Sequence, residues 1–220
     1  MEENVLQTFR EEIEFQCRLA LFALGDLKKA LGDYDKAHGE GFKNAEQRIY
    51  ICRIYYSIEA FLVAVANISK LFDPIEPRRP PNYPKEKWKI KGPELWKAME
   101  ERGAELRRSL SVDKDSPLIK SRPPRDYLEH FDAFLQEWIE ETKNLEYVHY
   151  VHRSIGSLRK VKEKGGAPDP KNFLQYFDYE QCMLLFRGAE YPLEPVIKAI
   201  KKLLEEIESR TSSRQKKECQ

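Results

Sequence analysis

Glycine is scarce in this chain, 10 of 220 residues, and no GxGxxG or GxxxxGK pattern occurs among them. Without a glycine-rich loop to let the backbone close on phosphates, Rossmann enzymes and nucleotide kinases leave the leading candidates. GxSxG and HExxH are also missing, which removes the elbow-type serine hydrolases and the common zinc peptidases. Neither sign of charge is in excess: 38 Lys plus Arg stand against 37 Asp plus Glu, a net charge of +1. A polyanion-coating protein and an acidic disordered tail both need a dominant sign, so both are excluded, whereas a local nucleic-acid site is not. Cysteine is limited to Cys17, Cys52, Cys182 and Cys219, far apart and in no CxxC pair, so we read the thiols as reduced and expect no metal site and no cofactor. The longest apolar run, Ala60 to Ala66, falls short of the roughly 20 residues that span a bilayer, and the first residues are acidic rather than signal-like. The expectation is a soluble, cytoplasmic protein with no membrane partner.

What the chain does have is bulk and periodicity. Eleven Tyr, eleven Phe and three Trp supply a core. Val5, Phe9, Ile13, Cys17, Ala20, Leu24, Leu27 and Leu31 recur every three or four positions and predict a first helix from about residue 4 to 31, ended by Gly32 and the turn chemistry after it. Residues 44–73 are apolar nearly all round, as a central bundle helix must be. Residues 73–93 hold six prolines and read as a long loop, in which Arg78, Arg79, Lys85, Lys87, Lys89 and Lys91 alternate with Tyr83 and Trp88. That mixture suits base stacking and phosphate contact, and equally a solvated loop pinned to the bundle by its aromatics. Further helices are predicted over 93–110 and 124–142. Beyond them EYVHYVHRSI, NFLQYF and QCMLLF read as short strands, followed by a helix over 192–209 and a disordered tail over 210–220.

One constellation carries chemistry. Arg125, Asp126, Tyr127, Leu128, Glu129 and His130 follow Pro123 and Pro124 and open the helix that continues through Phe131 and Asp132. The sequence resembles the RxxxxH signature of the HEPN superfamily, over about residues 1–142. The resemblance implies a mainly α fold, a HEPN-like bundle of four to five helices. Residues 143–209 would then be an extension of the same domain, a small β-hairpin or sheet element and a final helix. It also implies a metal-independent endoribonuclease leaving a cyclic phosphate, with RNA as substrate and a toxin or defence setting that includes an antitoxin partner. In that family the motif helices of two protomers meet in one cleft, which implies a homodimer. Asp126 departs from the commoner Asn of the motif.

The residue types fit that chemistry. An imidazole exchanges protons near neutral pH, so His130 suits a general acid or base. Arginine remains charged and offers a planar fork, so Arg125 suits phosphate binding. On an ideal helix Arg125 and His130 lie about 140° apart, whereas Asp126 and His130 are nearly in line. Asp126 is thus placed to orient the imidazole, and a cleft shared by two protomers relieves the mismatch of Arg125. The alternative reading is a non-catalytic HEPN-like dimer that binds a protein, a nucleotide or RNA. In it Arg125 pairs with Glu129, His130 bonds Asp126, and the acidic crowd of Asp126, Glu129 and Asp132 repels phosphate. Glu59, within the apolar central helix, needs a partner. It either supports Arg125 or His130 from a neighbouring helix or pairs with Arg53 or another bundle arginine. His149 and His152 fall on opposite faces of a strand and are not a metal pair, and His38 lies in a turn.

Overall fold

The computed structural model describes residues 3–39, 44–120, 130–141, 147–152 and 172–218. Six helices and four strands occur among them: α1 (Glu3–Gly39), α2 (Asn44–Phe72), α3 (Lys85–Ser109), α4 (Pro117–Lys120), α5 (Phe131–Glu141), β1 (Tyr147–His152), β2 (Phe173–Asp178), β3 (Met183–Phe186), β4 (Ala189–Pro192) and α6 (Glu194–Glu218). The predominantly helical architecture, with a small sheet and a closing helix, agrees with the sequence reading. The chain divides into two compact units, one of Met1–Ala20, Val63–Arg122 and Ala199–Gln220, the other of Leu21–Leu62 and Pro123–Lys198.

In the first unit Ile13 and Cys17 of α1, Val65, Ile68 and Phe72 of α2, Leu106 of α3, Leu118 of α4 and Ile200, Leu203 and Ile207 of α6 are buried. The end of α2 is fixed by α3: Arg107 donates to the Phe72 carbonyl, one of the acceptors a helix terminus leaves unpaired. Close approach there requires glycine, because a Cβ at Gly103 would sit 2.6 Å from the Phe72 carbonyl oxygen. At the end of α3, Ser111 takes a positive φ of 54° and the Val112 N–H bonds the Arg107 carbonyl at 2.9 Å, closing the helix in the Schellman manner.

The second unit holds the sheet, in the order β1-β2-β3-β4. β1 and β2 are parallel, and β2–β3 and β3–β4 are antiparallel. Every residue of β2 is buried. Trp138 of α5 packs with Leu174 and Phe186, joined by Phe134, Leu135 and Tyr191. A second cluster joins Phe173, Tyr176 and Leu185 with Tyr150 and Met183. β3 and β4 are linked by Arg187 and Gly188, both at positive φ (49° and 83°), the two-residue hairpin geometry that matches strand twist. Arginine is an unusual occupant of that conformation. It is held there by Glu137 and Glu141 of α5, both of which its guanidinium bonds.

Several boundaries differ from the sequence expectation. Gly32 does not end α1, which continues to Gly39 because Tyr34 is buried and donates to the Val151 carbonyl while Asp33 pairs with Arg53. The expected loop over 73–93 ends at Pro84, and α3 begins at Lys85 with Pro93 inside it. A proline crowds the Cβ of the residue before it, and here that residue is Gly92, which has none and lies under the Trp88 ring. α6 extends to Glu218 instead of giving way to a disordered tail, since no glycine or proline interrupts 196–218 and Arg210 pairs with Glu206 one turn earlier. β4 was not expected at all: its AEYP sequence is largely exposed and carries the proline that edge strands tolerate.

The apolar character of α2 has a structural reason. Glu46–Phe72 is the one helix among the described residues long and apolar enough to cross a membrane by composition, yet half of its most apolar window is buried inside the protein. Ile54, Ile58, Phe61, Val65 and Ile68 are each at most 1% exposed, the pattern of a core helix.

Candidate functional site

The motif histidine sits where α5 begins. His130 is exposed, and its carbonyl accepts the Phe134 N–H at 3.1 Å, so its backbone belongs to the first turn of the helix. α5 in turn is anchored by Trp138 beneath it and by the two carboxylates that grip Arg187. The imidazole is therefore presented to solvent from a fixed base. Asp132, two residues on, is exposed as well. Arg125, Asp126 and Glu129 lie outside the described residues, as does the predicted helix start at 124.

Glu59 lies on α2, half-buried, and burial raises its carboxyl pKa above the ordinary value. Arg53 is not its partner: that guanidinium bonds Asp33 at 3.1 Å. Six positions separate Arg53 from Glu59, about 120° around the helix, so the two point in different directions. Among the described residues Glu59 makes no ion pair, and the group whose ionisation it disfavours is the neighbouring Tyr55 phenol.

Around Tyr55 the structure assembles a polar cluster that the sequence did not indicate. Tyr55 from α2 donates to the Tyr150 carbonyl at 2.9 Å and Tyr34 from α1 to the Val151 carbonyl at 3.3 Å, so two helices hydrogen-bond to β1. His149 of β1 meets the Tyr55 ring edge-on, 4.8 Å between centroids, and burial lowers its pKa. Tyr176 stacks on Tyr150 at 5.6 Å, and its hydroxyl is buried without a hydrogen-bond partner among the described residues. Burial pushes the phenol pKa values of Tyr34, Tyr55 and Tyr176 upward, so all three stay neutral. The cluster fixes the sheet to the helices, and it contains no cation to bind phosphate and no metal-ligating group of three or more His, Cys, Asp or Glu among the described residues. His149 and His152 both lie on β1, three residues apart.

The described thiols are free. Burial drives Cys17 up to about 12, and burial with Glu194 nearby raises Cys182. Cys52 is exposed beside Arg53 in an open groove of about 470 Å³ lined by Asp26, Lys29, Ala30, Tyr56 and Ser57. A smaller groove of about 80 Å³ in the other unit is ringed by Glu3, Glu11, Glu14, Arg10 and Arg210. Neither contains His130 or Glu59.

The chain matches no family model, no characterised protein and no solved structure. Function must be argued from its residues.

Proposed function

We propose that this protein is a HEPN-like, metal-independent endoribonuclease acting as a homodimer through the motif helix. The observation that carries the reading is His130: a solvent-facing imidazole, held at the start of an anchored helix, five residues after Arg125. In this reaction the ribose 2′-oxygen attacks the adjacent phosphorus as its proton passes to an imidazole. The bond from phosphorus to the 5′-oxygen breaks, and that oxygen leaves as a hydroxyl after taking up a proton. The products are a 2′,3′-cyclic phosphate and a 5′-hydroxyl end. His130 takes the first proton and passes it through a water to the leaving oxygen, while Arg125 holds the phosphate oxygens and Asp126 orients the imidazole. Glu59 and Glu129 have supporting roles only. The biological setting consistent with such an activity is a toxin or defence nuclease restrained by an antitoxin partner.

A second reading is favoured by one feature. Asp132 adds an exposed negative charge two residues from His130 at the start of α5, which a non-catalytic HEPN-like binding dimer would tolerate. Incubating the wild type and a His130→Ala variant with end-labelled RNA in EDTA separates the two. The nuclease reading expects cyclic-phosphate fragments from the wild type and a loss of at least about 100-fold in the variant, the usual contribution of a general acid or base. Intact RNA in both samples overturns it.

A further inference from the structure

The first unit carries a charge concentration that the site around His130 does not use. Between Arg78 and Lys91 the chain has six cations against the single anion Glu86, a local charge of +5 in a protein of net charge +1. Two of the six are tied down locally. Arg79 donates to the carbonyls of Pro81 at 3.3 Å and Tyr83 at 2.6 Å, folding the loop upon itself, and Lys89 pairs with Glu86 at 3.0 Å. The other four, Arg78, Lys85, Lys87 and Lys91, are exposed and meet no carboxylate among the described residues. Lys87 and Lys91 are one turn apart on α3 and share a face. Lys91 also lies 5.7 Å above the Tyr83 ring, which meets Trp88 edge-on at 5.7 Å, and Trp88 covers Gly92. Tyr83, Trp88 and Lys91 thereby join the loop to the first turns of α3.

We propose that this surface binds the phosphate backbone of single-stranded RNA, without reading its sequence, through Lys87 and Lys91, with the half-exposed Tyr83 and Trp88 as stacking platforms and Arg78 and Lys85 as flanking cations. Ammonium groups on flexible stems suit a backbone of variable path, and aromatic faces accept any base. The choice of RNA among polyanions rests on the ribonuclease reading. A membrane surface suits the patch less well, because interfacial helices bury a broad apolar face and the large aliphatic side chains exposed near these cations are three, Ile75, Ile90 and Leu95.

The test uses the full chain in a His130→Ala background, so that RNA stays intact, with fluorescence anisotropy of a labelled single strand of about 20 nucleotides, several OB-fold-sized sites long. Three proteins are compared: the background alone, the same with Lys85→Gln, Lys87→Gln and Lys91→Gln, and a control with Lys28→Gln, Lys29→Gln and Lys36→Gln on α1. The patch variant is expected to bind at least tenfold more weakly and to lose about 2 from the slope of log K against log salt, close to 0.7 per cation for single strands. The control is expected to match the background. Should circular dichroism show the triple variant unfolded, the Lys87→Gln, Lys91→Gln pair carries the same comparison. The proposal is overturned if the patch variant binds within twofold of the background, if the α1 control falls equally, or if the background binds phosphatidylserine vesicles or polyglutamate but not RNA. Cleavage by the wild type without patch-dependent binding removes this surface and leaves the nuclease reading. Patch-dependent binding without wild-type cleavage does the reverse.

Discussion

Two buried tyrosines of the second unit differ in one atom's surroundings, and that difference decides what each hydroxyl contributes. Tyr55 gives its proton to the Tyr150 carbonyl, while the Tyr176 hydroxyl is buried with no partner among the described residues. A hydrogen bond contributes about 1 kcal/mol net, but an unsatisfied buried polar group costs about 1–3 kcal/mol. Tyr55→Phe is therefore expected to lower unfolding stability by about 1–2 kcal/mol. Tyr176→Phe should leave it unchanged or raise it, as measured by urea titration of both variants. A loss of similar size in Tyr176→Phe would mean that a buried water satisfies the hydroxyl. The roles of Tyr34 and Tyr55 were not legible in the sequence, because their bonds reach β1 across about a hundred residues and no local spacing encodes them.

Titration gives a second residue-scale prediction, with opposite signs at two groups. His149 has its folded pKa lowered by burial, so the unfolded chain takes up a proton that the folded one refuses, and stability falls as pH drops below the ordinary imidazole value of about 6.5. Glu59 has its folded pKa raised, so its contribution is full below the ordinary value of 4.5 and is lost as pH rises through the raised one. At pH 7 its half-buried carboxylate is a cost. Glu59→Gln is expected to raise the melting temperature at pH 7, with the advantage shrinking toward pH 4. A variant less stable than wild type at pH 7 would show that the carboxylate has a favourable charge partner.

Among the elements, glycines show how tertiary contact overrides local preference. Nothing lies within 4 Å of a Cβ built at Gly25, exposed on α1, whereas at Gly103 on α3 the Phe72 carbonyl oxygen would be 2.6 Å away and Pro74 Cδ 3.1 Å. Gly25→Ala should stabilise by about 0.5–1 kcal/mol through helix propensity alone. Gly103→Ala gains the same propensity but must push backbone apart, an overpacking cost of about 1–3 kcal/mol, so a net loss is expected in thermal melts. Helix α2 was legible because an all-round apolar run has one stable destination. The far end of α1 was not, because Gly32 is a weak stop that Tyr34 and the Asp33–Arg53 pair overrule. The start of α3 was hidden by Pro93, whose usual obstacle to helix is relieved by Gly92. At the site, spacing identified His130, and the structure adds its exposure and the anchoring of α5. Of the partners open to Glu59, Arg53 drops out because six helical positions carry the two side chains to different faces and Arg53 bonds Asp33.

At the scale of the whole molecule, the near-zero net charge conceals a division: the segment from Arg78 to Lys91 is strongly basic, so the remaining residues are acidic on balance. In the proposed nuclease, the residues that first hold RNA and those that cut it need not be the same. The cut itself poses a geometric requirement. Arg125 and His130 lie about 140° apart if they share one helix, too far around to converge on a single phosphate, so the proposed dimer would take its Arg from one protomer and its His from the other. Arg125→Ala and His130→Ala proteins are each expected to be inactive alone. After unfolding and refolding together, half of the dimers are mixed, and each mixed dimer restores one of its two composite sites. Activity should recover to about a quarter of the wild-type value, the statistical result for an isologous pair. No recovery from a mixture that sedimentation shows to have exchanged subunits would place Arg125 and His130 of the same protomer in one site, which requires the backbone between them to leave ideal helical geometry.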